Sequence, residues 1–125
     1  ISIREKCGLL VYYPFASGAL SGKYRRGQMP KNARMTLFKG WERMINPLAM
    51  KAYDEYYKLA KDNNITMVQL AQAFVNSRPF VTSNIIGATT MAQLKENIGS
   101  MNIKLTEEIL EKINIIHNNN PNPAP

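Results

Sequence analysis

The sequence predicts an α/β fold built on a parallel sheet, and three observations carry that prediction. "GLLVYYPF", residues 8–15, is a short apolar run rich in β-formers, the mark of a strand buried on both faces. Two stretches, 48–62 and 66–78, follow it with apolar residues at helical spacing. "TSNIIGA", residues 82–88, then returns to strand character and runs straight into another helical pattern. Strand, helices and strand in that order argue a right-handed parallel crossover.

Each element has its own local signals. Pro14 suits the exit of the first strand rather than its interior. Residues 16–47 hold Gly18, Gly22, Gly27, Pro30, Gly40 and Pro47. That connection far exceeds the usual length of about four to six residues, and such loops are functional or disordered. In 48–62, Ala49, Ala52, Tyr53, Tyr56, Leu59 and Ala60 share one helical face, and Asn63-Asn64 ends the helix. Thr66 and Gln69 form a capping box, with Ile65 and Leu70 as its hydrophobic staple. Leu70, Ala71, Phe74 and Val75 are the expected buried face, and Arg78-Pro79 stops the helix because the residue before proline avoids the α region. Thr90 and Gln93 repeat the box, so a helix is expected from about Met91 to the vicinity of Gly99. Thr106 caps the last helix, with Leu105 and Leu110 as staple and Ile109, Leu110, Ile113 and Ile116 as its apolar positions. Residues 119–125 form an Asn/Pro-rich tail, expected to be disordered or ordered only by packing on something else.

Composition narrows the classes. With 125 residues and 45% hydrophobic content the chain suits one domain with a packed core. No apolar run approaches the roughly 20 residues of a membrane span, so no membrane partner is expected. No signal peptide is recognised, and the start at Ile1 rather than Met points to a processed or partial product. The single cysteine, Cys7, rules out an internal disulfide framework and fits a reducing compartment such as the cytoplasm. It reads as a small residue near a strand, and His117, near a helix end, as a surface or capping residue. No metal ligand is assigned.

The net charge of +7 is concentrated. Lys23, Arg25, Arg26, Lys31, Arg34, Lys39 and Arg43 fall in one segment whose only acid is Glu42. A solvated loop, a small anionic ligand and a nucleic acid all fit such a segment. Its few aromatics, Tyr24, Phe38 and Trp41, give weak support to a base-stacking platform, and no nucleic-acid partner is expected. "PFASGALSGKY", residues 14–24, looks like a phosphate cradle, but not the nucleoside-triphosphate P-loop. That motif needs glycine where Ser17 stands and a hydroxyl residue where Tyr24 stands. A loop of small residues still lets backbone N–H groups approach an anion closely.

Parallel strands bring their C-terminal ends to one edge. The loop after the first strand and the Gly87-Ala88 turn before a helix N-terminus would therefore share that edge, where α/β proteins bind ligands. Yet two strands leave both sheet edges open and cannot be covered by four helices, so further strands are required.

The missing strands have a source in a resemblance. "VYYPFASGALSGKYRRGQMP" resembles the seventh-strand segment of aldo-keto reductases, Y-x-P-L-A-x-G-x-L-T-G-K-Y. "LAQAFVNSRPFVTSNIIGATTMAQLKENI" resembles that family's last helix–strand–helix segment, I-x-G-A-[ST]-x-x-x-Q-L-x-E-N. The similarity covers about residues 6–118 and is strongest to the branch with potassium-channel β-subunits and their bacterial relatives. It implies the last quarter or so of a (β/α)₈ barrel, strands seven and eight with their helices over residues 1–118, in a family that binds NADP(H) and reduces carbonyls.

The resemblance also implies roles. Tyr12 corresponds to the aromatic stacking on nicotinamide, though a buried strand tyrosine is the plain alternative. Pro14, Phe15, Ser17 and Gly18 correspond to the turn along the pyrophosphate, Lys23 to a phosphate-contacting lysine, and Arg34 to an arginine near the adenosine phosphates. Arg34 stands about one residue out of the family's spacing. Gly87, Ala88 and Thr89 correspond to the turn meeting the 2′-phosphate, and Gln93 to a residue reaching it, a role compatible with capping Thr90. Glu96 and Asn97 correspond to the pair bonding the adenine edge. Some branches have arginine at Gln93, so NAD(H) remains open beside NADP(H). The family's acid–base residues belong to the first half of the barrel, and no catalytic residue is assigned here. The implied partners are a small carbonyl substrate, the N-terminal portion of the same barrel and, as a further option, a second copy. The alternative is a non-catalytic fragment that binds nucleotide or a partner.

Overall fold

The structure, a computed structural model, describes residues 1–124. Strand β1 (Leu9–Tyr12) pairs in parallel with β2 (Val81–Ile85), in a register that sets Leu9 opposite Val81 and Tyr12 opposite Ile85, with an irregularity between Leu9 and Leu10. Both strands therefore end at the same edge. Between them run α1 (Arg34–Leu37), α2 (Pro47–Asp62) and α3 (Met67–Asn76), and after them α4 (Met91–Gly99) and α5 (Glu107–Asn119).

The first strand corrects an expectation. Its apolar run predicts burial, yet Leu10 is 61% and Tyr12 77% exposed, and Ile85 beside Tyr12 is 52% exposed. The physical reason is the sheet's width. Two paired strands have no opposite wall to close over their inner face. The ordered strands are also shorter than the apolar runs, because left-handed backbone at Tyr13 ends β1.

The core lies among the helices and the long connection. Ala49, Tyr53, Leu59 and Ala60 of α2 meet Met67 and Leu70 of α3 and Ile109, Ile113 and Ile116 of α5. Each large apolar side chain in this cluster gains roughly 1.5–3 kcal/mol on full burial. The connection from 16 to 46 is ordered and supplies Ala19, Tyr24, Ala33, Met35 and Met44 to the same cluster. Tyr24 is 1% exposed, and its hydroxyl accepts a hydrogen bond from the Met35 N–H at 3.1 Å, tying two distant parts of the connection together.

Helix starts follow local chemistry. The Asn46 side chain caps α2 by accepting from Ala49 N–H at 3.0 Å, with Pro47 in the first turn. At α3 both halves of the expected capping box form. At α4 only one half forms. Thr90 accepts from Gln93 N–H at 3.2 Å, but the Gln93 side chain reaches Thr89 instead of Thr90. Thr106 caps α5 through Ile109 N–H.

The buried face of α3 also differs from expectation. It is Met67, Leu70, Gln72 and Ala73, while Ala71, Phe74 and Val75 are half-buried. Those three line an apolar cleft of about 250 Å³ with Pro14, Leu20 and Tyr56. The tail folds back. Asn120 is 1% exposed and donates to the Ile116 carbonyl at 2.9 Å, while Asn46 donates to the Pro123 carbonyl at 2.8 Å. Pro125, part of the expected tail, lies outside the described residues.

Candidate functional site

The turn after β1 carries most of the candidate residues. Pro14, Phe15 and Ala16 lead into a tight 3-10 segment, Ala16–Ser21. Ala16, Ser17 and Gly18 adopt φ of +46°, +59° and +91° in succession. Left-handed backbone in two non-glycine residues is costly and persists where surrounding contacts dictate it. Gly18 accommodates it freely, and it also leaves space for Lys23. A Cβ at position 18 would stand 3.0 Å from Lys23 Cε and 3.1 Å from Nζ. The Lys23 ammonium thus lies directly against the Gly18 turn, 5.3 Å from the centroid of the buried Tyr24 ring.

The second group follows β2. Gly87, Ala88 and Thr89 are exposed, and apart from Gly87 and its chain neighbours nothing lies within 4 Å of the point a Gly87 Cβ would occupy. They precede the nine-residue α4, whose N-terminal N–H groups carry the positive end of the helix dipole. Gln93 Oε1 accepts from Thr89 N–H at 2.8 Å and from Thr89 Oγ1 at 3.0 Å. A backbone N–H can only donate, so the amide oxygen of Gln93 must face inward. Its NH₂ is then the end left to donate outward, which is what an anion requires.

The parallel register joins the two groups. Tyr12 opposite Ile85 sets the Gly18–Lys23 turn and the Gly87–Thr89 turn at one edge of the sheet. The remaining candidates are less open. Glu96 accepts from Thr66 Oγ1 at 2.7 Å, so one of its carboxylate oxygens is committed to the start of α3. Asn97 is 5% exposed and packed into the fold. Arg34 is exposed at the first residue of α1, its guanidinium 5.8 Å from the centroid of Trp41.

Two features escaped the sequence reading. Arg25, one of the concentrated basic residues, pairs with Asp54 at 2.6 Å and stacks 3.5 Å from the centroid of Tyr57. It pins the connection to α2 instead of extending a basic patch. Tyr13 hydrogen-bonds Ser17 through their hydroxyls and meets Tyr12 edge-on. The only sequence signal for it is a second tyrosine beside Tyr12. Below this turn, Tyr53 is buried with no hydrogen-bond partner for its hydroxyl among the described residues. Burial, reinforced by Tyr13, pushes its pKa up to about 12.

The donor set fits a dinucleotide chemically. It offers one ammonium against a glycine turn, an open glycine before a helix N-terminus and an outward amide. Among the described residues no three His, Cys, Asp or Glu side chains come together as a metal site, and no helix is long and apolar enough to cross a membrane.

Comparison with known proteins identifies the fold and the family. A glycerol dehydrogenase from Gluconobacter oxydans superposes on 99% of the chain with a TM-score of 0.75 at 22% identity, the chain covering 38% of that protein's barrel. The fold is thus the strand-seven and strand-eight part of a (β/α)₈ barrel. Protein tas of Escherichia coli is 40% identical over all 125 residues, and these span 36% of its length. A probable voltage-gated potassium channel subunit beta of Arabidopsis thaliana is 32% identical over 91% of the chain, which spans 36% of that protein. An aldo-keto reductase of Babesia bovis is 33% identical over 87% of the chain, and the chain spans 40% of it. The chain thus spans well under half the length of each of these relatives. A family model described as "Aldo/keto reductase family" matches residues 4–118, and the chain belongs to that family.

Proposed function

We propose that this chain is the cofactor-clamping part of an NADP(H)-dependent reductase of aldehydes or ketones, acting in the cytoplasm. The observation that carries this reading is the parallel register, with Tyr12 opposite Ile85, which brings the Lys23 turn and the Gly87 turn to one edge. The bound nicotinamide supplies the hydride when the cofactor is present. In this reading the chain's own residues bind and orient. Tyr12, 77% exposed at the strand end, offers a ring face for stacking that fixes which side of the nicotinamide meets substrate. Pro14, Phe15, Ser17 and Gly18 shape the turn along the pyrophosphate, and Lys23 neutralises it. Gly87, Ala88, Thr89 and the outward amide of Gln93 receive the 2′-phosphate at the start of α4. Glu96, through the carboxylate oxygen not bonded to Thr66, and Asn97 flank the adenine, and Arg34 serves the adenosine phosphates. The acid–base groups come from the rest of the barrel, which also closes the exposed strand face.

Lys23→Ala in a complete barrel carrying this chain tests the reading. NADPH affinity is expected to fall by about 1.5–3 kcal/mol, the range for hydrogen bonds to charged groups. An unchanged fluorescence titration would leave Lys23 a solvated side chain. A second reading, a non-catalytic nucleotide-binding or partner-binding module, is favoured by the likeness to a probable potassium channel subunit. NADPH binding without carbonyl reduction in the complete barrel would select it. Assembly with a second copy is compatible with either reading. Nucleic acid is not proposed, since Arg25 is already committed to Asp54.

A further inference from the structure

Tyr13 stands between the two halves of the Tyr12–Ser17 turn and has no part in the clamp as described. On a regular strand Tyr12 and Tyr13 would face opposite sides. Tyr13 lies just past β1 with φ of +71°, a left-handed conformation that a bulky residue adopts only under constraint. The consequence is that one side chain touches both neighbours. Its ring meets Tyr12 edge-on, centroids 6.3 Å apart and planes at 61°, and its hydroxyl is hydrogen-bonded to Ser17 Oγ. Ser17, at φ +59°, follows Ala16 at φ +46°, so three non-glycine residues within five positions are left-handed. The Tyr13–Ser17 bond closes this strained turn on itself.

The direction of that bond matters. A serine hydroxyl has one hydrogen to donate and two lone pairs to accept with. A phenol, with a pKa near 10, is far more acidic than an alkyl hydroxyl and is the stronger donor. Either hydroxyl can donate in this contact; with Tyr13 donating and Ser17 accepting, the Ser17 hydrogen is left for an outside acceptor. Ser17 keeps 9% of its surface exposed.

We propose that Tyr13 is a positioning residue for the cofactor, holding Ser17 Oγ as a donor to the pyrophosphate while bracing the Tyr12 ring beside the nicotinamide. This rests on the reading of the turn as a pyrophosphate site. It assigns specificity for the dinucleotide bridge to a hydroxyl that does not itself touch the ligand.

The test uses a complete barrel carrying this chain and two probes, NADPH and adenosine 2′-monophosphate, which lacks the pyrophosphate and the nicotinamide half. Tyr13→Phe keeps the ring and removes only the hydroxyl. It should weaken NADPH about tenfold and leave the monophosphate unchanged, the second probe reporting an intact fold. Ser17→Ala should do the same, and the double variant should lose about tenfold in all rather than a hundredfold. Equal weakening of both probes, full additivity with Ser17→Ala, or no change for NADPH would each overturn the role. Lys23→Ala separates this failure from failure of the site. If Lys23→Ala weakens NADPH and Tyr13→Phe does not, only the positioning role is lost. If neither variant weakens it, the pyrophosphate reading itself falls, and the positioning role with it.

Discussion

Gln93 is neutral where a 2′-phosphate would be met, so in the proposed clamp discrimination depends on the α4 N-terminus and a side-chain amide. Gln93→Arg should raise the preference for NADP(H) over NAD(H), read as the ratio of their dissociation constants. Equal changes for both cofactors would remove Gln93 from the 2′-phosphate site. Tyr53 yields a different prediction. Its buried hydroxyl makes no hydrogen bond among the described residues, and such a group costs about 1–3 kcal/mol. Tyr53→Phe should leave the urea midpoint unchanged or raise it. The pH dependence follows from its pKa of about 12 against an ordinary value of 10.0. Between those values the unfolded chain has lost the phenol proton and the folded chain retains it. Stability is therefore intact below pH 10 and falls as pH rises toward 12. A urea titration of Tyr53→Phe should show a shallower loss over that window.

The helix caps set the geometry of the elements. Asn46 both caps α2 and tethers the tail through Pro123, so Asn46→Ala should cost about 0.5–2 kcal/mol, seen as a lower urea midpoint at constant m. The Thr66–Gln69 box was legible because its partners lie three residues apart, and it forms as read. Asn46 carries the same kind of signal, Asn followed by Pro, but it lies within the glycine- and proline-rich 16–47 connection, whose composition masks a helix start. The half-formed box at Thr90 was not legible, because Thr89 competes for the Gln93 oxygen. Nor was the link from Thr66 to Glu96, which joins residues thirty positions apart and ties α3 to α4. The same limit hid Tyr24, whose burial depends on Met35 returning across the connection. The candidate site was readable where motif and strand end coincide, at Gly18, Lys23 and Gly87. It was not readable at Tyr13, whose contacts with Tyr12 and Ser17 depend on a left-handed backbone that no pattern of residue types specifies.

At the scale of the whole molecule, the sheet has two strands and a bare inner face. Leu10, Tyr12 and Ile85 are exposed along it, and the cleft beside Phe74 and Val75 is apolar. An exposed face with unpaired strand edges promotes association. The isolated chain should therefore be marginally stable or self-associated, with a broad thermal transition that depends on concentration. It should also show no carbonyl reduction, since the acid–base groups are expected in the rest of the barrel. The central claim, a cofactor clamp that works only within a barrel, is tested most directly by complementation. NADPH fluorescence is titrated into the 125-residue chain alone, into the remaining barrel portion alone, and into their mixture. The account predicts saturable binding and carbonyl reduction in the mixture, neither in the separate pieces, and weakened binding when the chain carries Lys23→Ala. A monomeric, cooperatively folded isolated chain that reduces carbonyls with NADPH would contradict it.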